Sequence, residues 1–409
     1  MLAGGAFACA AEESEAPRVI VAPGVINALD DNNGNSGVGN GFNTLGGERV
    51  TAPPTAPEEP VEPVDPVESM ISEMLESMTL HEKVCQMLIV TLDSLTGVNG
   101  ATLAGELTQA GLEAYPVGGI IHFAQNIISG EQITQLNKRL QEMSDIPLMI
   151  AVDEEGGDVA RLRSQIGAHS VRSMLRYEDA GTETAYENAA IISEALIKHG
   201  FNTNFAPVAD VWSNPSNRVI GNRAYSRDFE TAAMLVSAAV MGFRDNNIAC
   251  SLKHFPGHGN TREDSHYNTA YVNKTLDELR AEEFLPFIAG IAAGADMVMT
   301  GHLIVPEADD VPATLSRVLI TNILRRELGF DGIVITDSLA MNAISRNYSA
   351  PEVAVAAVNA GVDILLMPVS IEETVAAVIS AVENGEISER QIDESVRRIL
   401  SLKASLRLL

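Results

Sequence analysis

The sequence predicts a single (β/α)8 barrel of the TIM type, preceded by a disordered, acidic, Pro-rich N-terminal segment. Three observations predict it. Residues 1–69 are rich in Pro, Asn, Gly and acids and lack a periodic apolar pattern. From residue 70 to 409, eight apolar runs alternate with helical patterns. Ionisable residues gather at the ends of those runs. Near-continuous apolar strands separated by helices form a parallel sheet covered on both faces. An open doubly wound sheet would also alternate, but no GxGxxG turn accompanies these strands. In a barrel the chemistry lies at the C-terminal ends of the strands.

Taken in order, the chain opens on MLAGGAFACA, small apolar residues with a Cys followed by acids. This is read as the remnant of a lipoprotein signal with Cys9 as the lipidated residue, although a basic n-region is missing. The expected localisation is extracellular or anchored at the cell surface. The run Val19–Ile26 is a candidate short strand. Thr51–Val67 alternates Pro with acids, and residues 1–69 hold eleven acids against two Arg. Such composition favours an extended spacer. The catalytic domain is therefore expected over 70–409, with no second folded domain. Thr79 and Glu82 form a capping-box pattern at a helix start.

The strands are expected at 86–92, 117–123, 147–153, 203–211, 248–255, 297–303, 332–337 and 362–367. Helical patterns are expected at 130–143, 182–199, 228–244, 276–293, 319–328 and 350–360, with 371–384 and 388–406 closing the chain.

Formal net charge is −28, from 55 acids and 27 bases. Such a chain repels phosphate backbones, so no nucleic-acid partner is expected. No run of 18 apolar residues occurs, so no membrane-spanning helix is expected. Cys85 and Cys250 sit in apolar segments and read as buried free thiols; neither a disulfide framework nor a Cys metal site is implied.

The stretch Lys253–His266, KHFPGHGNTREDSH, gathers three of the eight His with a Lys, an Arg and two acids after an apolar run. Asp153-Glu154-Glu155, Asp210, Thr300-Gly301-His302 and Thr336-Asp337-Ser338 stand at other strand ends. Ionisable groups at five strand ends of one barrel converge on one pocket, with Asp210 read as a helix cap or salt-bridge partner. A metal site built from His254, His258, His266 and His302 is disfavoured, because HxH and HExxH spacings are missing and Lys253 and Arg262 add positive charge. No cofactor is expected.

KHFPGHGNTREDSH resembles the signature of family 3 glycoside hydrolases, in the β-N-acetylhexosaminidase branch. Asp153–Arg161 (DEEGGDVAR), Asn204–Val211 (NFAPVADV), Ile220–Ser226 (IGNRAYS) and Gly332–Met341 (GIVITDSLAM) resemble further motifs of that family. The resemblance covers roughly 70–405. It implies Asp337 as nucleophile, His266 as general acid/base and Asp264 as its orienting partner. It implies Asp153, Arg161, Arg223, Lys253 and His254 as residues that hold an N-acetylglucosamine ring. Asp158 departs from the family, which has Arg there, and Ser338 stands where some relatives have a second Asp.

These roles agree with the residues' own chemistry. Retaining cleavage of a glycosidic bond needs a nucleophile on one face of the anomeric carbon and an acid near the leaving oxygen. A His can serve as that acid near neutral pH, and an Asp two residues before it can fix its tautomer. The Gly and Pro around them suit a loop that closes over substrate. The β-glucosidases of the family typically lack this loop and take their acid from a second domain. The expected function is therefore a monomeric, exo-acting, retaining β-N-acetylglucosaminidase of peptidoglycan fragments or chitooligosaccharides. The alternatives are a phosphorylase that replaces water with phosphate and a non-catalytic surface sugar-binding protein.

Overall fold

A computed structural model describes residues 65–262 and 270–409. Cys9, Val19–Ile26 and almost all of the acidic spacer lie outside the described residues. The described residues belong to one compact unit, 62–409.

Eight strands form its centre: β1 Leu88–Thr91, β2 Gly119–His122, β3 Met149–Val152, β4 Thr203–Asn204, β5 Ala249–Phe255, β6 Met297–Thr300, β7 Ile333–Thr336 and β8 Leu365–Leu366. Each pairs in parallel with its neighbour in chain order. β1 pairs with β8, and a parallel bridge Ile335↔Ile364 closes the ring between β7 and β8. All residues of β2, β3, β5, β6 and β7 are buried. That is why these strands read as unbroken apolar runs: water reaches neither face.

Helices connect the strands and cover the ring. Thr79 and Glu82 close their capping box, with Thr79 N–H donating to Glu82 Oε2 at 2.7 Å and Glu82 N–H to Thr79 Oγ1 at 3.3 Å. The first helix, Pro66–Ser77, begins a little before residue 70; Asp65 caps it, Pro66 opens it, and Ile71 and Leu75 are buried. Gly130–Met143 and Ala350–Ala360 are helical over the spans their periodicity predicts. Phe255 of β5 stacks on Phe284 at 5.5 Å and meets Phe287 edge-on at 5.3 Å, pinning the following helix to the barrel. Cys85 and Cys250 are free and buried. Lys403 is also fully buried; its ammonium donates to Gln86 Oε1 at 2.7 Å, and burial pushes its pKa down to about 7.

The structure departs from the sequence expectation, or adds to it, at three places. The predicted helix 276–293 is two helices, Leu276–Ala281 and Phe284–Ala292. Pro286 has no N–H and its ring would strike the carbonyl four residues back, so one continuous helix is blocked. The helix Val318–Glu327 is wound in the wider π form. A helix at Glu106–Ala114, whose buried face is only Thr108 and Leu112, fills the β1–β2 crossover that carried no helical signal. Among the described residues no helix is long and apolar enough to cross a membrane.

Candidate active site

The predicted strand-end residues come together at the C-terminal mouth of the barrel. Lys253 is the hub. Its ammonium lies 2.7 Å from Asp153 Oδ1 and 2.6 Å from Glu155 Oε1. Arg223 adds a fork onto Glu155, Nε to Oε2 and Nη2 to Oε1, both at 2.8 Å. Glu155 is 3% exposed. Burial opposes its charge, but Arg223 and Lys253 outweigh burial and hold the carboxyl far below the usual range. Burial pushes Lys253 down, and Asp153 with Glu155 more than reverses it, so Lys253 stays an ammonium ion. Arg161 sits at the edge, 3.9 Å from Asp153 Oδ2 and over the Phe123 ring at 5.6 Å.

The Gly156-Gly157 turn makes this cluster feasible. A Cβ on Gly157, at φ +67°, would fall 2.4 Å from Ser173 Oγ and 2.6 Å from Ser173 N. Glu154 takes no part in the hub: it accepts from Leu162 N–H, Arg163 N–H and His169 Nε2–H, fixing the start of the next helix. Asp158 is exposed and accepts from Asn222 Nδ2 at 3.0 Å.

A second buried cluster lies beside the first. The register of β5 against β6 shifts between Lys253 and Phe255, a bulge that turns both Lys253 and His254 to the site. His254 Nδ1–H donates to Asp210 Oδ2 at 2.7 Å, and the backbone N–H groups of His254 and His258 donate to the same carboxylate at 3.1 and 2.6 Å. Burial resists ionisation of Asp210, but His254, His258 and these donors lower its pKa. Asp210 is thus a salt-bridge partner, and what it holds is a site histidine.

Asp337 follows β7. Its Oδ1 accepts from Ser338 N–H at 2.7 Å. Burial works against its charge, but His254, His302, this N–H and Lys253 prevail and lower the pKa. The carboxyl is therefore ionised at neutral pH. His302, after β6, donates Nε2–H to the Ser338 carbonyl at 2.8 Å and accepts from Thr314 Oγ1 at 2.8 Å. It fixes the backbone that carries Asp337.

His266 and Asp264 lie outside the described residues. The stem before them is anchored. Asn217 Nδ2 donates to His258 O at 2.8 Å, Asn214 Nδ2 donates to Thr261 O at 3.1 Å, and His258 Nδ1 meets Thr261 Oγ1 at 2.7 Å. A Cβ on Gly259 would stand 1.7 Å from Val211 O, so only glycine lets the stem lie this close to the segment after β4. Among the described residues no cluster of His, Cys, Asp or Glu is arranged to hold a metal ion.

Glu155 carried no assigned role in the sequence reading, although the run of acids Asp153-Glu154-Glu155 at a strand end was a visible signal. Asn214 and Asn217 carried no signal, since Asn is common in loops.

Comparison with known proteins agrees with this geometry. The profile described as "Glycosyl hydrolase family 3 N terminal domain" matches residues 79–402. The chain is 37% identical over 291 residues to a beta-hexosaminidase of Stenotrophomonas maltophilia (strain R551-3), covering 69% of this chain and 86% of that protein. It is 35% identical over 335 residues to beta-hexosaminidase A of Pseudoalteromonas piscicida, covering 75% of this chain and 56% of that one. The solved structure of a glycoside hydrolase family 3 beta-N-acetylglucosaminidase from Paenibacillus sp. str. FPU-7 superposes with a TM-score of 0.76 at 40% identity, over 81% of this chain and 63% of that chain. The chain thus spans less than two thirds of some relatives. With a family profile over most of its length and a closed parallel barrel whose strand ends carry the site, the chain belongs to glycosyl hydrolase family 3.

Proposed function

We propose that this protein is a retaining exo-β-N-acetylglucosaminidase that removes terminal N-acetylglucosamine from peptidoglycan fragments or chitooligosaccharides. The observation that carries the reading is Asp337: a carboxylate at the end of β7, kept ionised and held by its own backbone, beside a buried polar floor. Asp337 attacks the anomeric carbon and forms a glycosyl ester as the glycosidic C–O bond breaks. His266, oriented by Asp264, gives its proton to the leaving oxygen. A water then attacks the anomeric carbon as its bond to Asp337 breaks, His266 takes the water's proton, and Asp337 leaves as carboxylate. Asp153, Lys253, Arg223, Arg161 and His254 hold the sugar.

The test is hydrolysis of a chromogenic β-N-acetylglucosaminide beside the β-glucoside, with and without phosphate. Cleavage of the N-acetyl sugar alone is expected, with activity lost in Asp337→Ala. His266→Ala should retain more activity on an activated leaving group, which needs little protonation, than on a natural disaccharide. A sugar 1-phosphate product would show phosphorolysis instead, and silence on both sugars would leave sugar binding without turnover. We also propose that the enzyme is exported, on the small apolar start in which Cys9 is followed by acids. Fractionation of the producing cell, with mass spectrometry of Cys9 for lipid, would check that.

A further inference from the structure

The face opposite the active site holds an unassigned pocket. It is a cavity of about 320 Å³ lined by Arg317, Arg325, Arg326, Arg390 and Arg398. Five arginines in one cavity reverse the local charge of a chain with twice as many acids as bases. Two elements deliver them: the helix Val318–Glu327 with its leading residue, and the helix Glu389–Ser405; the turn into β8 adds Asn359, Gly361 and Asp363 to the wall. The position in the fold follows from Asp363. This carboxylate precedes β8 and accepts from the N–H of Val334 in β7 at 2.8 Å, so the pocket lies at the N-terminal ends of these strands.

The cations are only partly matched. Asp363, 1% exposed, is held by Arg325, by Arg398 Nη1 at 3.1 Å and by Ser395 Oγ at 2.8 Å. Arg390 pairs with Glu394 at 2.8 Å on an exposed helix face. Among the described residues, Arg317 donates to the carbonyl of Asn359 at 3.1 Å, and Arg326 to the Asn322 amide oxygen at 3.3 Å. Among the described residues neither has a carboxylate partner. Burial and the neighbouring Arg398 charge push the Arg325 pKa down despite Asp363, as expected where cations crowd. Ser388, the cap of the 17-residue helix Glu389–Ser405, lines the same cavity, so the positive end of that helix faces it as well.

We propose that this cavity is a binding site for a phosphate-class oligoanion. Guanidinium forks bind phosphate oxygens in pairs, and forks arriving from two different helices suit a tetrahedral anion, which offers oxygens in several directions. The volume equals about ten waters' share of the liquid, room for more than one phosphoryl group. The sugar chemistry does not account for the cluster, because Asp337 follows the other end of β7.

The experiment is calorimetric titration of the full chain with inorganic phosphate, pyrophosphate and a poly(glycerol phosphate) oligomer at constant ionic strength. Arg317→Ala/Arg326→Ala removes the two cations without carboxylate partners and leaves Asp363 compensated. Lys138→Ala/Arg139→Ala removes the same charge from a distant exposed helix. Binding by wild type and the control, at least tenfold weaker in the pocket variant, is expected, with glycoside hydrolysis unchanged. Pyrophosphate tighter than phosphate would mark a small oligophosphate, and preference for the oligomer a polymer of phosphodiesters. No binding at millimolar anion, or equal loss in both double variants, would overturn the proposal. A thermal melt of each variant without ligand separates lost binding from lost fold.

Discussion

Replacing Glu155 by Gln tests the polar floor of the site. Glu155 receives Lys253 and both arms of Arg223 while almost fully buried. The amide keeps the shape but loses the charge, leaving Asp153 alone against two cations. Removing one partner of a buried charge cluster costs about 3–5 kcal/mol. A domain of about 340 residues unfolds with an entropy near ~0.7 kcal/mol per degree, so a loss of about 3 kcal/mol lowers Tm by about 4 °C. The sign with pH follows from the depressed carboxyl. Its stabilisation is fully present above the unfolded value near ~4.3 and is lost as pH falls through the folded value. The gap between wild type and Glu155→Gln should therefore be widest near neutrality and shrink below about pH 4. Because Lys253 and Arg223 lose their tether, kcat/KM on the N-acetylglucosaminide should fall ~10–100-fold, the effect of displacing binding groups by an ångström or less. Calorimetric melts across pH with steady-state kinetics make the measurement. A variant with wild-type Tm at pH 7 and wild-type kcat/KM would refute the reasoning.

Two further perturbations bear on the frame around the site. Gly259→Ala sets a methyl group against the Val211 carbonyl; a stability loss of about 3 kcal/mol, read from the urea midpoint, is expected because backbone stands on both sides of the clash. Lys403→Met should stabilise the protein. The folded pKa near 7 lies below the unfolded value of ~10.4, so the unfolded chain binds the proton first and wild-type stability rises with pH between those values. The gain from Met, about 2–4 kcal/mol at pH 6, should fade by pH 10, and a gain that is flat with pH would sink this account.

The barrel was legible because burial on both faces writes itself into a parallel strand. Sequence reading lengthened most strands by a residue or more at either end, most of all the fourth, where the regular strand is Thr203–Asn204 and only an isolated parallel bridge from Val208 to Lys253 continues it, although the apolar run reaches Val211. Beyond Asn204 the same residues are buried as irregular chain carrying Asp210 to His254. The site was legible where one loop concentrates unusual residues, as in Lys253–His254, and where an acid ends a strand, as at Asp337. Glu155 was harder to read because its role depends on Arg223, distant in sequence, and pairings of that kind leave no local pattern. The arginine pocket was invisible for the same reason: its residues are spread from 317 to 398 among ordinary surface helix positions.

The hub also limits what can bind beside it. An ammonium ion has three donors, and Lys253 spends two on Asp153 and Glu155. Arg223 spends three of its five, two on Glu155 and one on the Val219 carbonyl. What remains is a few fixed donors next to Asp153, whose Oδ2 meets Arg161 only at 3.9 Å and so keeps acceptor capacity. A donor and an acceptor side by side match a sugar hydroxyl, which both accepts and gives a hydrogen bond. They do not suit an anion, which would meet the Asp153 and Asp337 carboxylates with only the leftover donors to offset them. The charge that would welcome phosphate is gathered instead at the far end of β7 and β8, among Arg317, Arg325 and Arg326. On the proposed reading, water rather than phosphate completes the reaction at Asp337, and adding phosphate to the chromogenic assay should leave the rate and the free-sugar product unchanged.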